Sequence, residues 1–115
     1  MPEYRIWTIT GPSRRPAIPD DRLLDVLQPR GYYSVSVDGP GDLRLALGGC
    51  EMVFSSEDDG WHVWFEGDPT GLFEGDTTGL FEGGADLDHP GFLVSRVARQ
   101  IHEFTGGHIK WIRND

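Results

Sequence analysis

Four short segments of alternating apolar and polar residues follow one another in the middle of the chain, at 32–38, 43–47, 51–55 and 61–66. They are separated by the turn-forming runs Asp-Gly-Pro-Gly, Gly-Gly and Glu-Asp-Asp-Gly. Alternation is typical of strands that bury only one face. Because parallel strands need long crossover connections, turns this short predict an antiparallel meander.

Two amphipathic helices flank the meander. The first is predicted to begin at Pro19-Asp20-Asp21, where an early proline and carboxylates suit a helix N-terminus, and to end before Pro29. The second is predicted to have Asp88 as its N-cap and to end at Gly106-Gly107. The residues expected on the apolar faces are Leu23, Leu24, Val26 and Leu27 in the first helix and Leu93, Val94, Val97, Ile101 and Phe104 in the second. The residues expected mostly on the polar side of the second helix are Arg96, Arg99, Gln100 and Glu103.

Strands are also predicted near both ends of the chain, at 3–10 and 108–113. The resulting order is strand, helix, four strands, helix, strand. This order predicts a single α+β domain spanning 1–115, a two-layer sandwich with a mostly antiparallel sheet of about six strands and two helices on one face. The last strand is expected beside the first or another central strand, and the full strand order stays open.

The net charge limits the classes of partner. Nineteen acidic residues against ten basic ones give a formal net charge of −9. This charge repels nucleic-acid phosphates and anionic lipid, and it attracts a basic protein. One cysteine, Cys50, cannot form an internal disulfide, and no apolar run has the length of a signal peptide or of a membrane span. We therefore expect a cytoplasmic protein with a basic protein partner, no nucleic acid and no membrane, whose oligomeric state is open.

An acidic tandem repeat occupies residues 65–84 and reads FEGDPTGL, FEGDTTGL, FEGG. From Glu57 to Asp88 the chain has ten carboxylates and neither Lys nor Arg. Clustered oxygen ligands suit Ca²⁺, although the dense spacing of a calcium-binding loop is missing. The repeat is also compatible with an elongated hairpin, with a neutral duplication that lengthened a surface loop, or with a protein-binding loop that carries apolar anchors among carboxylates.

Other candidate chemistry is sparse. The four histidines have no metal-ligand spacing, and we expect them to be surface or packing residues. Cys50 follows two glycines, but its neighbour Glu51 opposes thiolate formation, so a structural role is expected. No glycine-rich stretch forms a phosphate-binding loop. The sequence therefore predicts a non-enzymatic protein with no catalytic residues, no cofactor and no metal ligands.

The segment from Glu103 to Trp111, Glu-Phe-Thr-Gly-Gly-His-Ile-Lys-Trp, resembles the end of small bacterial immunity proteins. In the first-numbered immunity family of polymorphic toxin systems, a helix ends in Glu-Phe-x-x-Thr-Gly and leads into a strand with Val-x-Trp. The present chain is shorter by two residues before Thr105-Gly106, and the repeat has no counterpart in the family pattern. The resemblance implies a non-enzymatic protein that binds and blocks a secreted toxin in the producing cell.

These observations predict an acidic protein-binding domain that occludes the active site of a cognate bacterial toxin. The alternative is a Ca²⁺- or small-ligand-binding module that uses the acidic repeat loop. Carboxylates are expected to pair with basic side chains of the target, and two phenylalanines are expected to anchor the contact. The predicted partner-binding residues are Glu57, Asp58, Asp59, Glu66, Asp68, Phe73, Glu74, Asp76, Phe81 and Glu82.

Overall fold

The structure, a computed structural model, describes residues 3–47, 49–67 and 89–114, with the backbone alone for His89. The predicted Asp88 cap and the repeat beyond Gly67 lie outside the described residues. The first half of the chain forms β1 (Glu3–Thr8), a 3₁₀ turn (Asp20–Arg22), α1 (Leu23–Leu27), β2 (Val35–Ser36) and β3 (Leu43–Leu47). The second half forms β4 (Cys50–Glu57), β5 (Gly60–Gly67), α2 (His89–Thr105) and β6 (Ile109–Arg113).

The described strands form one antiparallel sheet in the order β2-β3-β4-β5-β1-β6. The predicted α+β fold and its element order are confirmed. The last strand lies beside the first, where it forms an edge of the sheet. No helix in the described ranges is long and apolar enough to cross a lipid bilayer.

One face of the sheet packs against the two helices and forms the core. Successive residues of a strand point to opposite faces, so only every second side chain reaches this layer. Leu93, Val94, Val97 and Ile101 of α2 are fully buried against it. The sheet contributes Tyr4, Ile6, Leu45, Leu47, Cys50, Met52, Phe54, Trp61, Val63 and Phe65. The burial of Cys50 agrees with the structural role that was expected for this thiol.

The polar side of α2 was predicted wrongly at one residue. Gln100 is only 3% exposed, and its side chain connects α2 to the segment after α1. Its Nε2 donates to the carbonyl oxygens of Val26 (2.9 Å) and Gln28 (2.8 Å), and its Oε1 accepts from the backbone N–H of Arg30 (2.9 Å). Because α1 has only five residues, these bonds supply partners for carbonyls that the short helix cannot pair internally.

Three further expectations differ from the structure. The strand predicted at 32–38 is reduced to Val35–Ser36, and Tyr33 is 88% exposed, because this strand lies at the sheet edge. Leu24 is 40% exposed, since α1 makes too few turns to bury all its leucines. Phe104 lies at the end of α2, beyond the core, where the guanidinium of Arg22 stacks 5.2 Å from its ring.

Gly60 closes the β4–β5 hairpin in a conformation that suits glycine, with φ of +137°. A Cβ at this position would collide with the backbone carbonyl of Ile6 in β1. The predicted turn at 57–60 is therefore also a place where β1 closely approaches the hairpin. The turn carboxylates therefore lie close to β1. They are beside the second face of the sheet, which is the face opposite the helices.

Candidate protein-binding surface

The predicted partner-binding residues within the described ranges lie at two ends of one strand. Glu57, Asp58 and Asp59 form the β4–β5 turn, whereas Glu66 lies near the other end of β5. Six residues of extended chain lie between Asp59 and Glu66, which places the two roughly 20 Å apart. The other six predicted residues lie outside the described ranges: Asp68, Phe73, Glu74, Asp76, Phe81 and Glu82.

The turn carboxylates are not equivalent. Glu57 and Asp58 are exposed, and Glu57 accepts a hydrogen bond from the Ser55 hydroxyl. Asp59 has partners inside the molecule, since its Oδ1 lies 2.8 Å from Nε2 of His62 and its Oδ2 accepts from Nη1 of Arg5 at 3.3 Å. The hydrogen bond with His62 is the main reason that the pKa of Asp59 is lowered, with a smaller contribution from Arg5. Glu57 and Asp58 are therefore the turn carboxylates that a partner reaches most easily.

Glu66 belongs to an ion-pair cluster that sequence reasoning did not foresee. Arg44 lies on β3, and its side chain is only 8% exposed. Its Nη1 lies 2.7 Å from Glu51 Oε1, and its two Nη atoms donate to the two oxygens of Glu66 at 3.1 and 3.2 Å. Trp64 Nε1 donates to Glu66 Oε2 at 2.9 Å. The hydrogen bonds from Arg44, and secondarily from Trp64, lower the pKa of Glu66.

A backbone loop holds Arg44 in place. Nε and Nη2 of Arg44 donate to the carbonyl oxygen of Pro40, both at 3.3 Å. Gly39 has φ of +152°, and a Cβ there would lie 2.6 Å from Arg44 Nε. A Cβ at Gly41 would lie 2.7 Å from a methyl carbon of Val53, which is fully buried beneath the same loop. Residues 38–41 thus close over the β3–β4 side of the second sheet face.

The remainder of the second face is not covered by a helix of the described chain. We call the outward side of β5 and β1 the open face and define it by Glu3, Arg5, Trp7, His62 and Trp64. Trp64 lies opposite Glu3 in the β1–β5 pairing, and both tryptophans are partly exposed. The Arg5 guanidinium lies 4.3 Å from the centroid of the Trp7 ring. The open face therefore presents the Trp7 ring near the turn end of β5 and the Trp64 ring near the Glu66 end.

Carboxylates around the open face are more exposed than the arginines. The side chains of Glu3, Asp59, Glu51 and Glu66 are 41–50% exposed, whereas those of Arg5 and Arg44 are 25% and 8% exposed. One guanidinium cannot neutralise the two carboxylates that contact Arg44, so this cluster keeps an excess negative charge. His62 also lies next to Glu3, with its Nδ1 3.6 Å from Glu3 Oε1. The surface offered to a partner is therefore acidic.

Two open grooves lie on another part of the molecule, and the loop that contains Arg15 and Pro16 lines both. Their volumes are about 580 and 400 Å³, and both are lined in part by Phe104. The carbonyl of Pro16 accepts a hydrogen bond from Trp61 Nε1, which fixes the loop on the core. No group of three or more His, Cys, Asp or Glu residues in the described ranges has the geometry of a metal site.

Sequence reasoning identified the turn but missed the rest of this surface. Arg5, Trp7, Arg44 and Trp64 have the strand parity opposite to the core, which was the available signal. Parity alone does not give the strand order that brings β1 beside β5. The chain matches no family model, no curated protein and no solved structure.

Proposed function

We propose that this chain is a non-enzymatic domain that binds a basic protein, and that the partner is a bacterial toxin whose active site it occludes. The observation that carries the proposal is the exposure of carboxylates around the open face, above arginines that are held deeper in the surface. Complementary charge favours encounter with a basic surface and disfavours nucleic acid and other acidic partners.

The β4–β5 turn supplies the first point of contact. Glu57 and Asp58 are exposed at the tip of a hairpin, where they can pair with Arg or Lys at the rim of a cleft. The acidic stretch that begins at Asp68 adds six carboxylates up to Asp88, with no Lys or Arg among them. Association driven by these charges is fast at low salt and slows as salt screens the attraction.

The resemblance of the C-terminal segment to immunity proteins supports the toxin-inhibitor form of the proposal. The residues that carry it belong to the end of α2, its glycine C-cap and β6. Gly106 has φ of +73° and donates its N–H to the carbonyl of His102 at 2.8 Å, which terminates the helix. The segment then pairs with β1, so this part of the proposed family pattern lies in the scaffold and not in the acidic surface.

Capture from a lysate of the native host at low salt is the first test. We expect the full chain to retain a basic protein that is toxic when expressed alone and harmless when co-expressed with this chain. Capture of no basic protein, or of one whose toxicity the chain does not relieve, would contradict the proposal.

Charge reversal at the turn is the second test. Glu57→Lys with Asp58→Lys should weaken binding of the captured protein by roughly tenfold and reduce its salt dependence, since both charges contribute to encounter. Asp20→Lys with Asp21→Lys is the matched control, because these adjacent exposed carboxylates lie in the 3₁₀ turn before α1. If both pairs of substitutions reduced the affinity equally, only net charge would matter. The assignment of binding to this surface would then be wrong.

A further inference from the structure

We infer that the open face receives an extended, arginine-bearing segment of the partner, which lies along β5 with Trp64 as its central contact. This inference rests on the proposed function and adds to it the surface and the chemistry of the bound segment. The proposed function needs only an acidic surface that a basic partner can reach, whereas this inference concerns the sheet between the turn and Glu66.

The position of Trp64 supports the inference first. It lies on β5, with Val53 of β4 and Glu3 of β1 as its neighbours in register. Its Nε1–H is bonded to Glu66, so the indole is held in one orientation by an ion-pair cluster that is itself fixed by Arg44. A partly exposed, pre-oriented tryptophan at the centre of a polar surface is the usual form of an interface anchor.

The aromatic rings specify a cation. The Trp7 ring already has a guanidinium 4.3 Å from its centroid, contributed by Arg5 of the same strand. Among aromatic side chains, tryptophan binds such cations best, and the cation is more often an arginine than a lysine. An arginine from outside would meet the Trp64 ring with the carboxylates of Glu3 and Glu66 close by.

The positions of the charges indicate the path that the bound segment follows across the sheet. Carboxylates lie along the whole of β5, with Asp59 at one end, Glu3 opposite Trp64, and Glu51 with Glu66 at the other end. An extended segment advances about 3.3 Å per residue, so roughly six or seven residues span the distance between these groups. Lys110 is exposed on β6 and faces the same way as Trp7, its partner in register, so cations are disfavoured at that edge. The acidic path therefore follows β5.

Nuclear magnetic resonance of the indole N–H groups tests the inference on the full chain. The probe is a twelve-residue peptide of alternating arginine and alanine, with alternating glutamine and alanine as its neutral control. We expect the arginine peptide to shift the signals of Trp7 and Trp64. The Trp61 signal should stay in place, because its Nε1–H is bonded to Pro16 O in the core. Unchanged Trp7 and Trp64 signals, or equal shifts of all four indole signals, would overturn the inference.

Neutral variants locate the contact without removing the anchor. Glu3→Gln with Glu51→Gln should weaken binding of the arginine peptide about fivefold or more, since Glu3 belongs to the open face and Glu51 borders it. The control pair Asp20→Asn with Asp21→Asn should change its affinity by less than about twofold. Equal effects of the two pairs would also overturn the inference. If a basic toxin is still captured and neutralised while the Trp7 and Trp64 signals do not respond to it, the proposed function stands and this surface does not.

Discussion

The two faces of the sheet have the same strands and opposite chemistry. The face covered by the helices buries aliphatic and aromatic side chains, with Ile6, Met52 and Phe54 at 0% exposure. The open face has ion pairs, a histidine between two carboxylates, and two partly exposed tryptophans. Apolar burial is the main source of folding stability, whereas partly exposed ion pairs contribute little. The comparison indicates that one face maintains the fold and the other is available for recognition.

Two polar residues, one on each side of the sheet, depart from this division. On the helix side, Gln100 is buried and bonded to three backbone groups. On the other side, Arg44 is buried under residues 38–41 and bonded to two carboxylates. Both residues have their polar atoms satisfied, which is the condition for burying them without a large cost.

Truncation in the covered face should have the largest effect. Phe54→Ala removes a fully buried ring and should lower the free energy of unfolding by about 3–5 kcal/mol. The control is Ile112→Ala on the opposite side of the sheet, where a side chain 49% exposed should cost less than about 1 kcal/mol. Urea denaturation followed by tryptophan fluorescence measures both. Similar losses would mean that the face opposite the helices is also part of the stabilising core.

Loss of the buried Gln100 amide should cause the second-largest decrease in the free energy of unfolding. Gln100→Leu leaves the carbonyls of Val26 and Gln28 and the N–H of Arg30 without this partner. We expect a destabilisation of about 1–3 kcal/mol, because buried backbone groups lose their hydrogen bonds. Arg99→Leu, at the adjacent exposed position, should change stability by about 0.5 kcal/mol or less. If the two variants unfold at the same urea concentration, Gln100 does not connect α2 to the segment after α1.

Displacement of Arg44 should give a smaller loss. Gly39→Ala places a methyl group against the Arg44 guanidinium in addition to straining a positive φ. Gly31→Ala, at φ of +89° with nothing within 4 Å of its Cβ, isolates backbone strain of about 1 kcal/mol. Thermal unfolding should therefore show a larger decrease in Tm for the first variant. Equal decreases would show that Arg44 moves aside freely and that its cluster does not depend on the loop.

The pH dependence of the Glu66 pair should give the smallest effect. Hydrogen bonds from Arg44 lower the pKa of Glu66 below its ordinary value of 4.5 in the folded state. The unfolded state therefore takes up the proton first, and the stabilisation by this pair is complete above that value and is lost as the pH falls through the lowered pKa. Glu66→Gln should be less stable than the unsubstituted chain at pH 7 and equally stable below the lowered pKa.

Urea midpoints measured at several pH values check this expectation. The matched control is Glu57→Gln, a surface carboxylate that accepts its hydrogen bond from Ser55. We expect this variant to change stability by about 0.5 kcal/mol or less, as is usual for an exposed side chain. If the difference in stability between Glu66→Gln and the unsubstituted chain became larger in acid, the assigned direction of the pKa shift would be wrong.

Much of the fold could be predicted because its signals are local. Alternation, turn residues and helical spacing identified the β4–β5 hairpin, both helices and the covered side of β5. The prediction failed at the short β2 strand and at Phe104, both at the margins of the core, where neighbours determine burial. Of the candidate site, the exposed Glu57 and Asp58 were identified correctly as surface carboxylates, but their role in binding stays a prediction.

The sequence by itself determined the alternating strands, the two amphipathic helices, the acidic charge and the position of the turns, because each depends on residues close together in the chain. Only the tertiary structure decided that β1 lies between β5 and β6, which brings Arg5 to Asp59 and Trp64 opposite Glu3. It also decided that Arg44 and Gln100 are buried. The physical reason is that polar side chains enter a protein interior only where distant segments supply their hydrogen-bond partners, and those distances are fixed by packing.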